Sequence, residues 1–171
     1  NDYIDLPLTL PDEGSISLWY YAKTWYDYQT IFDNSINADD WEMWIYSDGR
    51  LRFRIDEGDA DVEYDLDNLR GPNNSYHVVV VWNSSAAGWL YVDGIERDFD
   101  LAGTFLNPGT NFYLAGGNGN TKGNGIMDEL RIWNRSLSTD EIYQQYASNL
   151  NKFDQTQWYL YVNQSKNATT V

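Results

Sequence analysis

Apolar and polar residues alternate with period two along most of this chain, and near the end the period changes. Ile126, Asp128, Leu130 and Ile132 alternate with Met127, Glu129, Arg131 and Trp133, the pattern of a strand with two unequal faces. Ser138 then stands three residues before Glu141, and Ile142, Tyr143, Tyr146, Ala147 and Leu150 follow at helical spacing. A capping box ahead of such a series predicts one short helix over 139–150. Other alternating or apolar runs predict strands near 15–22, 29–33, 61–66, 75–82 and 111–115, at the spacing of a sandwich.

Two Asp-Gly pairs between alternating runs read as two-residue hairpin turns. Around Asp48-Gly49 this register opposes Trp44 to Phe53 and Met43 to Arg54. Trp44, Tyr46, Leu51 and Phe53 are then expected in the core, with Met43, Ile45, Arg52 and Arg54 on the other face. Around Asp93-Gly94 it buries Leu90, Val92 and Ile95 and gathers Trp89, Tyr91, Glu96 and Asp98 opposite. The stretch Gly116–Gly125 is too glycine-rich for regular structure and predicts a mobile loop. Beyond Asn151 lies one strand-like run, Gln157–Asn163, in a polar tail. The organisation expected is one domain over 1–150, with 151–171 a linker or the start of a following module.

The run from Asp128-Glu129 through Asn134-Arg-Ser-Leu-Ser138 to Glu141-Ile142 resembles the closing signature of the laminin G-like, concanavalin A-like lectin/glucanase family. Three more stretches match that family in order: Ser15–Tyr20 its early Trp strand, Tyr76–Val81 its central strand, and Leu90–Gly94 its hairpin. The resemblance runs from residue 1 to about 150. It implies an all-β, jelly-roll β-sandwich of two antiparallel sheets with one short helix. Asn1–Pro7 resembles the family's second strand region, so an earlier strand is expected upstream. The fold alone does not imply function, because it hosts lectins, glycosidases, adhesion modules and spacers.

Composition narrows the partners. A chain of 171 residues supports one substantial core. Its net charge of −15 repels phosphate backbones, which disfavours nucleic acid and anionic membranes. No apolar run reaches the roughly 20 residues of a membrane-spanning helix. With no cysteine there is neither a disulfide nor a thiolate metal site. Sequons stand at Asn73, Asn83, Asn134, Asn163 and Asn167, and they carry glycan only if the chain is exported. The resemblance implies an extracellular or cell-surface setting within a multidomain protein.

For chemistry, Trp89 and Tyr91 beside Glu96 and Asp98 offer flat rings for sugar faces and carboxylates for hydroxyls, with Arg52 and Arg54 as further donors. In related sandwiches a late-strand acid joins an early one around a structural calcium ion (Ca2+), which implies Asp128 with Asp2. The acidic stretch Asp33–Asp40 is a second place for calcium, without the Gly and terminal Glu of an EF-hand. Glu63-Tyr-Asp-Leu-Asp67 imperfectly resembles the catalytic strand of laminarinase-type glycosidases, but ends in Asp where that pattern has Glu. Retaining hydrolysis needs two carboxyls about 5 Å apart, whereas an i, i+4 pair on a regular strand lies roughly 13 Å apart. His77, the single histidine, has no Ser or Cys partner motif beside it and reads as a packed strand residue. The expectation is a non-catalytic module that binds glycan or a cell-surface protein. The alternatives are a structural or protein-interaction spacer and, third, a glycoside hydrolase.

Overall fold

The alternating runs form strands in the computed structural model, which describes residues 3–26, 28–34, 41–54, 61–85, 87–101, 110–116 and 123–148, and the backbone of 150–152 and 158–160. In chain order these are β1 (Ile4–Leu6), β2 (Gly14–Ala22), β3 (Gln29–Asp33), β4 (Glu42–Ile45), β5 (Arg50–Arg54), β6 (Asp61–Asp65), β7 (Asn74–Trp82), β8 (Ala87–Val92), β9 (Ile95–Leu101), β10 (Phe112–Leu114), β11 (Gly125–Trp133), helix α1 (Thr139–Ser148), β12 (Leu150–Lys152) and β13 (Trp158–Leu160). One sheet has six strands in the order β1-β10-β3-β4-β5-β6, and the second has five in the order β11-β2-β7-β8-β9. All pairings between neighbours are antiparallel. Among the described residues β12 and β13 pair only with each other. The glycine-rich loop over 117–122 lies outside the described residues.

The core fills the space between the sheets. Ile16, Leu18, Val78, Val80, Leu90 and Val92 come from one side and Phe32, Met43, Ile45, Leu51, Phe53 and Phe112 from the other, all buried. Burying a side chain of this size contributes about 1.5–3 kcal/mol. Trp41 and Trp82 meet edge to face at 5.1 Å at one end of it. Gly14 has to be glycine, because a Cβ there would collide with the Trp82 ring and sit 2.8 Å from the Trp133 carbonyl.

The unbroken run Val78–Val81 is apolar on both sides because both are covered. Val79 and Val81 leave the main core and pack with Tyr91, Leu137 and Ile142 under α1, on the outside of the five-stranded sheet. α1 starts where the capping box placed it. The Ser138 N–H donates to Glu141 Oε2 at 2.9 Å, and the Glu141 N–H donates back to Ser138 Oγ at 3.3 Å. Arg135 clamps the same carboxylate at 2.6 Å, and that bond, followed by those from Ser138, holds Glu141 down to about 2. Ser138→Ala is expected to lower stability by about 1 kcal/mol in urea unfolding. A loss below the error of that measurement would mean the cap is not holding the helix.

The Asp48-Gly49 hairpin departs from the expected register by one residue. The Tyr46 N–H donates to the Arg50 carbonyl at 2.9 Å, and Gly49 adopts φ 84°. This is a three-residue loop with glycine in the left-handed position, a geometry that Asp-Gly serves as readily as a two-residue turn. Ile45 therefore opposes Leu51, Trp44 opposes Arg52 and Met43 opposes Phe53. The slip exchanges the faces of β4. Met43 and Ile45 are core, and Trp44 faces outward with Arg52 and Arg54.

The second hairpin matches its expected register only at first. Asp93 and Gly94 both have positive φ, as a two-residue primed turn requires, and Val92 opposes Ile95 and Tyr91 opposes Glu96. A bulge at Arg97 then shifts the ladder, so Leu90 opposes Asp98 and Trp89 opposes Phe99. Asp98 is thereby removed from the face that holds Trp89, Tyr91 and Glu96.

Candidate functional site

The rings and carboxylates expected around Trp89 are not gathered in one place. Tyr91 is buried under α1 and donates its hydroxyl to Glu96 Oε2 at 3.0 Å. Burial first, and then Glu96, push the Tyr91 hydroxyl up to about 12. Trp89 is half-buried and tilted against Phe99 with centroids 5.0 Å apart. Asp98 turns the other way and accepts the Glu63 N–H of β6 at 2.8 Å, joining the edges of the two sheets. Beside it Arg97 lies 4.8 Å over the Tyr64 ring.

Arg52 and Arg54 sit on the other sheet, in a cluster the expected register had hidden. Across the strands, Thr30, Trp44, Arg52 and Glu63 form one row, and Asp33, Glu42, Arg54 and Asp61 the next. Both rows face outward, because Phe32, Met43, Phe53 and Val62 between them are core. Trp44 is nonetheless buried, since other side chains roof it on this outer face. Tyr28 stacks over it at 6.2 Å and 14°, and Tyr46 meets it edge-on at 5.9 Å. Arg52 and Arg54 lie 5.7 and 5.1 Å from its centroid, within cation–π range. Arg50 and Arg52 lie over Tyr46 at 5.0 and 5.2 Å.

Carboxylates hold the outer edges of these guanidiniums. Arg52 reaches Glu63 at 2.9 Å and Asp61 at 3.0 Å, Arg54 reaches Asp61 at 3.0 Å, and Arg50 reaches Asp48 at 2.8 Å and Glu63 at 3.6 Å. Tyr28 is 48% exposed with a left-handed backbone at φ 51°, a conformation uncommon for a bulky non-glycine residue. Its hydroxyl titrates above the ordinary range, mainly through its hydrogen bond with Tyr46. The Trp44 Nε1–H has no hydrogen-bond partner among the described residues, and a buried donor left unsatisfied costs about 1–3 kcal/mol. The patch therefore offers an exposed ring and fixed guanidinium–carboxylate pairs.

The acids weighed for catalysis are each engaged in a structural contact. Glu63 pairs with Arg52, Asp65 accepts the Asp67 N–H at 2.9 Å at the start of a 3-10 turn over Leu66–Asn68, and Asp67 accepts Trp25 Nε1–H at 2.9 Å. His77 is buried, 3.0 Å from Ser17 Oγ through Nε2 and ringed by Trp19 and Tyr146. Burial, then the positive charge of Arg131, lower it to about 4.

Asp128 is exposed, and its Oδ1 accepts the Glu129 N–H at 2.8 Å. Among the described residues no three His, Cys, Asp or Glu side chains come together to hold a metal. Asp2 and residues 35–40 of the acidic stretch lie outside the described residues. No donor set forms around Asp128 among the described residues. Of the sequons, Asn73 and Asn134 are exposed, Asn83 is half-buried with Oδ1 accepting the N–H groups of Ser85 and Ala87, and Asn163 and Asn167 lie outside the described residues.

Residues 1–143 match the laminin G-like family model described as the concanavalin A-like lectin/glucanases superfamily. No protein of curated function matches the sequence. Among solved structures, the binding domain of botulinum neurotoxin serotype D superposes with a TM-score of 0.71 at 17% identity, covering 87% of this chain and 42% of that one. The binding domain of botulinum neurotoxin DC in complex with rat synaptotagmin II gives 0.63 at 19% identity, covering 81% and 37%. The same domain in complex with SialylT gives 0.64 at 20%, again covering 81% and 37%. The chain thus spans less than half the length of these domains, and at such identities the likeness is one of fold.

Proposed function

Because the chain belongs to the concanavalin A-like lectin/glucanase superfamily through its laminin G-like match, we propose that it is a non-catalytic carbohydrate-binding or adhesion module of a larger extracellular or cell-surface protein. The observation that carries this reading is the outer face of the six-stranded sheet, where Tyr28, Trp44 and Tyr46 lie among Arg50, Arg52 and Arg54. Flat rings accept the apolar face of a sugar, and oriented polar groups accept its hydroxyls. Recognition of this kind needs no bond chemistry. The engagement of Glu63, Asp65 and Asp67 in structural contacts supports a binding role over hydrolysis. The superfamily, named for lectins and glucanases, and the structural neighbours, described as binding domains, are compatible with it. The exposed sequon residues Asn73 and Asn134 fit an exported protein. Among the described residues no helix is long and apolar enough to cross a membrane.

The test is a broad glycan array probed with the chain and with Tyr28→Ala, in calcium and in EDTA. Tyr28 is exposed enough for its removal to leave the core intact, and Tyr28→Ala is expected to weaken binding roughly tenfold, as truncation of an aromatic anchor does. Absence of binding by the parent chain to every glycan would remove the reading.

A protein-interaction module is the second reading, and β9 favours it. Ile95, Phe99 and Leu101 are exposed along this edge strand, Leu101 by 65%. A strip of this kind suits a protein partner better than a sugar. The synaptotagmin complex of one structural neighbour is compatible with such a role.

A further inference from the structure

We propose that the outer face of the six-stranded sheet reads an internal stretch of a neutral, linear oligosaccharide, several sugars at once, and not a single terminal sugar; this rests on the glycan-binding reading above. The observation behind it is a repeat. Guanidiniums recur at every second residue of β5, at Arg50, Arg52 and Arg54, all on the outer face. Each lies over a ring: Arg50 over Tyr46, Arg52 over Tyr46 and Trp44, Arg54 over Trp44. Each is paired with a carboxylate of β6, Arg50 and Arg52 with Glu63 and Arg54 with Asp61. From Arg50 to Arg54 the ladder runs about 13 Å at about 3.3 Å per residue, longer than one pyranose ring.

The chemistry of one rung fits a vicinal diol. A guanidinium carries five N–H donors and a carboxylate about four acceptor sites, and at the Arg52–Glu63 rung both contacts fall on Glu63 Oε2, so that pair keeps acceptor capacity beside its donors. One hydroxyl accepts from the guanidinium while its neighbour donates to the carboxylate, and the ion pair stays intact. The edges are within reach of a ligand, since the Arg50, Arg52 and Glu63 side chains keep 40, 20 and 37% of their surface exposed. The ring stacking and ion pairs fix each guanidinium in advance, which reduces the ordering cost of binding.

The same pairs select against acidic sugars. A carboxylate ligand has to displace Asp61 or Glu63, and it approaches a patch where Asp48, Asp61, Glu63 and Asp65 outnumber the three arginines, in a chain of net charge −15. Tyr28 at the margin receives the apolar face of a sugar.

Calorimetric titration of the 171-residue chain tests this. The probes are neutral glucose, mannose, galactose and N-acetylglucosamine series of one to five units, with oligogalacturonates of matched length. For the sugar that binds, the trisaccharide is expected to bind at least about tenfold more tightly than the monosaccharide, the effect of one further charge-assisted contact. Matched oligogalacturonates are expected to bind more weakly. Arg50→Ala, at the exposed end of the ladder and verified as folded by circular dichroism, is expected to remove about tenfold of trisaccharide affinity. A monosaccharide that binds as tightly as its trisaccharide, or a preference for the acidic series, overturns this inference and leaves the glycan-binding reading standing. No binding to any neutral series while the array shows binding to acidic glycans does the same. Silence in both titration and array removes both.

Discussion

Trp82→Ala is expected to cost about 3–5 kcal/mol, the range for removing a large buried ring. Trp82 is fully buried, donates its Nε1–H to the Pro11 carbonyl at 2.8 Å and closes edge-on against Trp41 at 5.1 Å. Its ring also fills the space that Gly14 leaves open. Deleting it leaves a cavity under β2, strips a ring contact from Trp41 and frees the Pro11 carbonyl. Domains of this size hold about 5–15 kcal/mol in all, so the variant is expected near the edge of stability. Urea unfolding measures it as a midpoint shift at unchanged slope. A loss under about 1 kcal/mol would mean that this end of the sandwich is not packed as described.

Acid is expected to have the next largest effect, through His77. Its folded value is about 4, lowered first by burial and then by Arg131, against about 6.5 in an unfolded chain. Above pH 6.5 neither state is protonated and the stability is complete. As pH falls from about 6.5 to 4, the unfolded state takes up the proton and the folded state does not, so stability falls with pH. Below about 4 both states are protonated and this contribution levels off. The window is worth about 3 kcal/mol at 1.36 kcal/mol per unit. His77→Gln is expected to flatten stability against pH across that window. An equally steep decline in the variant would assign the acid sensitivity to other groups. Glu141, held down to about 2, loses its own contribution mainly below this range.

The sandwich was legible from the chain because its strands alternate and its helix announces itself. β3 spans the predicted 29–33, and the Ser138–Glu141 box opens α1 in the expected place. The helix stops at Ser148, before Leu150, which begins β12. The candidate site was legible only in pieces, because side-chain faces depend on register and register depends on single residues. Gly49 satisfies two loop lengths, and the longer one moved Trp44 from the expected core to the outer face beside Arg52 and Arg54. Arg97 occupies a bulge that alternation cannot announce, and it separated Asp98 from Trp89. Tyr28 stood in no periodic run, and its place over Trp44 depends on a left-handed backbone that an aromatic residue does not advertise. One signal was present throughout. Arginine at 50, 52 and 54 places three cations on one strand face, an arrangement that acids on the neighbouring strand stabilise.

The central claim is that sugar binds on the face built around Trp44, and the indole N–H resonances of the eight tryptophans test it directly. Nitrogen-15 spectra would be recorded while the neutral oligosaccharide series is added. The account predicts that the Trp44 Nε1–H, without a hydrogen-bond partner among the described residues, shifts with ligand while that of Trp89 stays in place. Movement of Trp89 with Trp44 unchanged would put the site on the opposite sheet, and no movement of either would contradict glycan binding at this face.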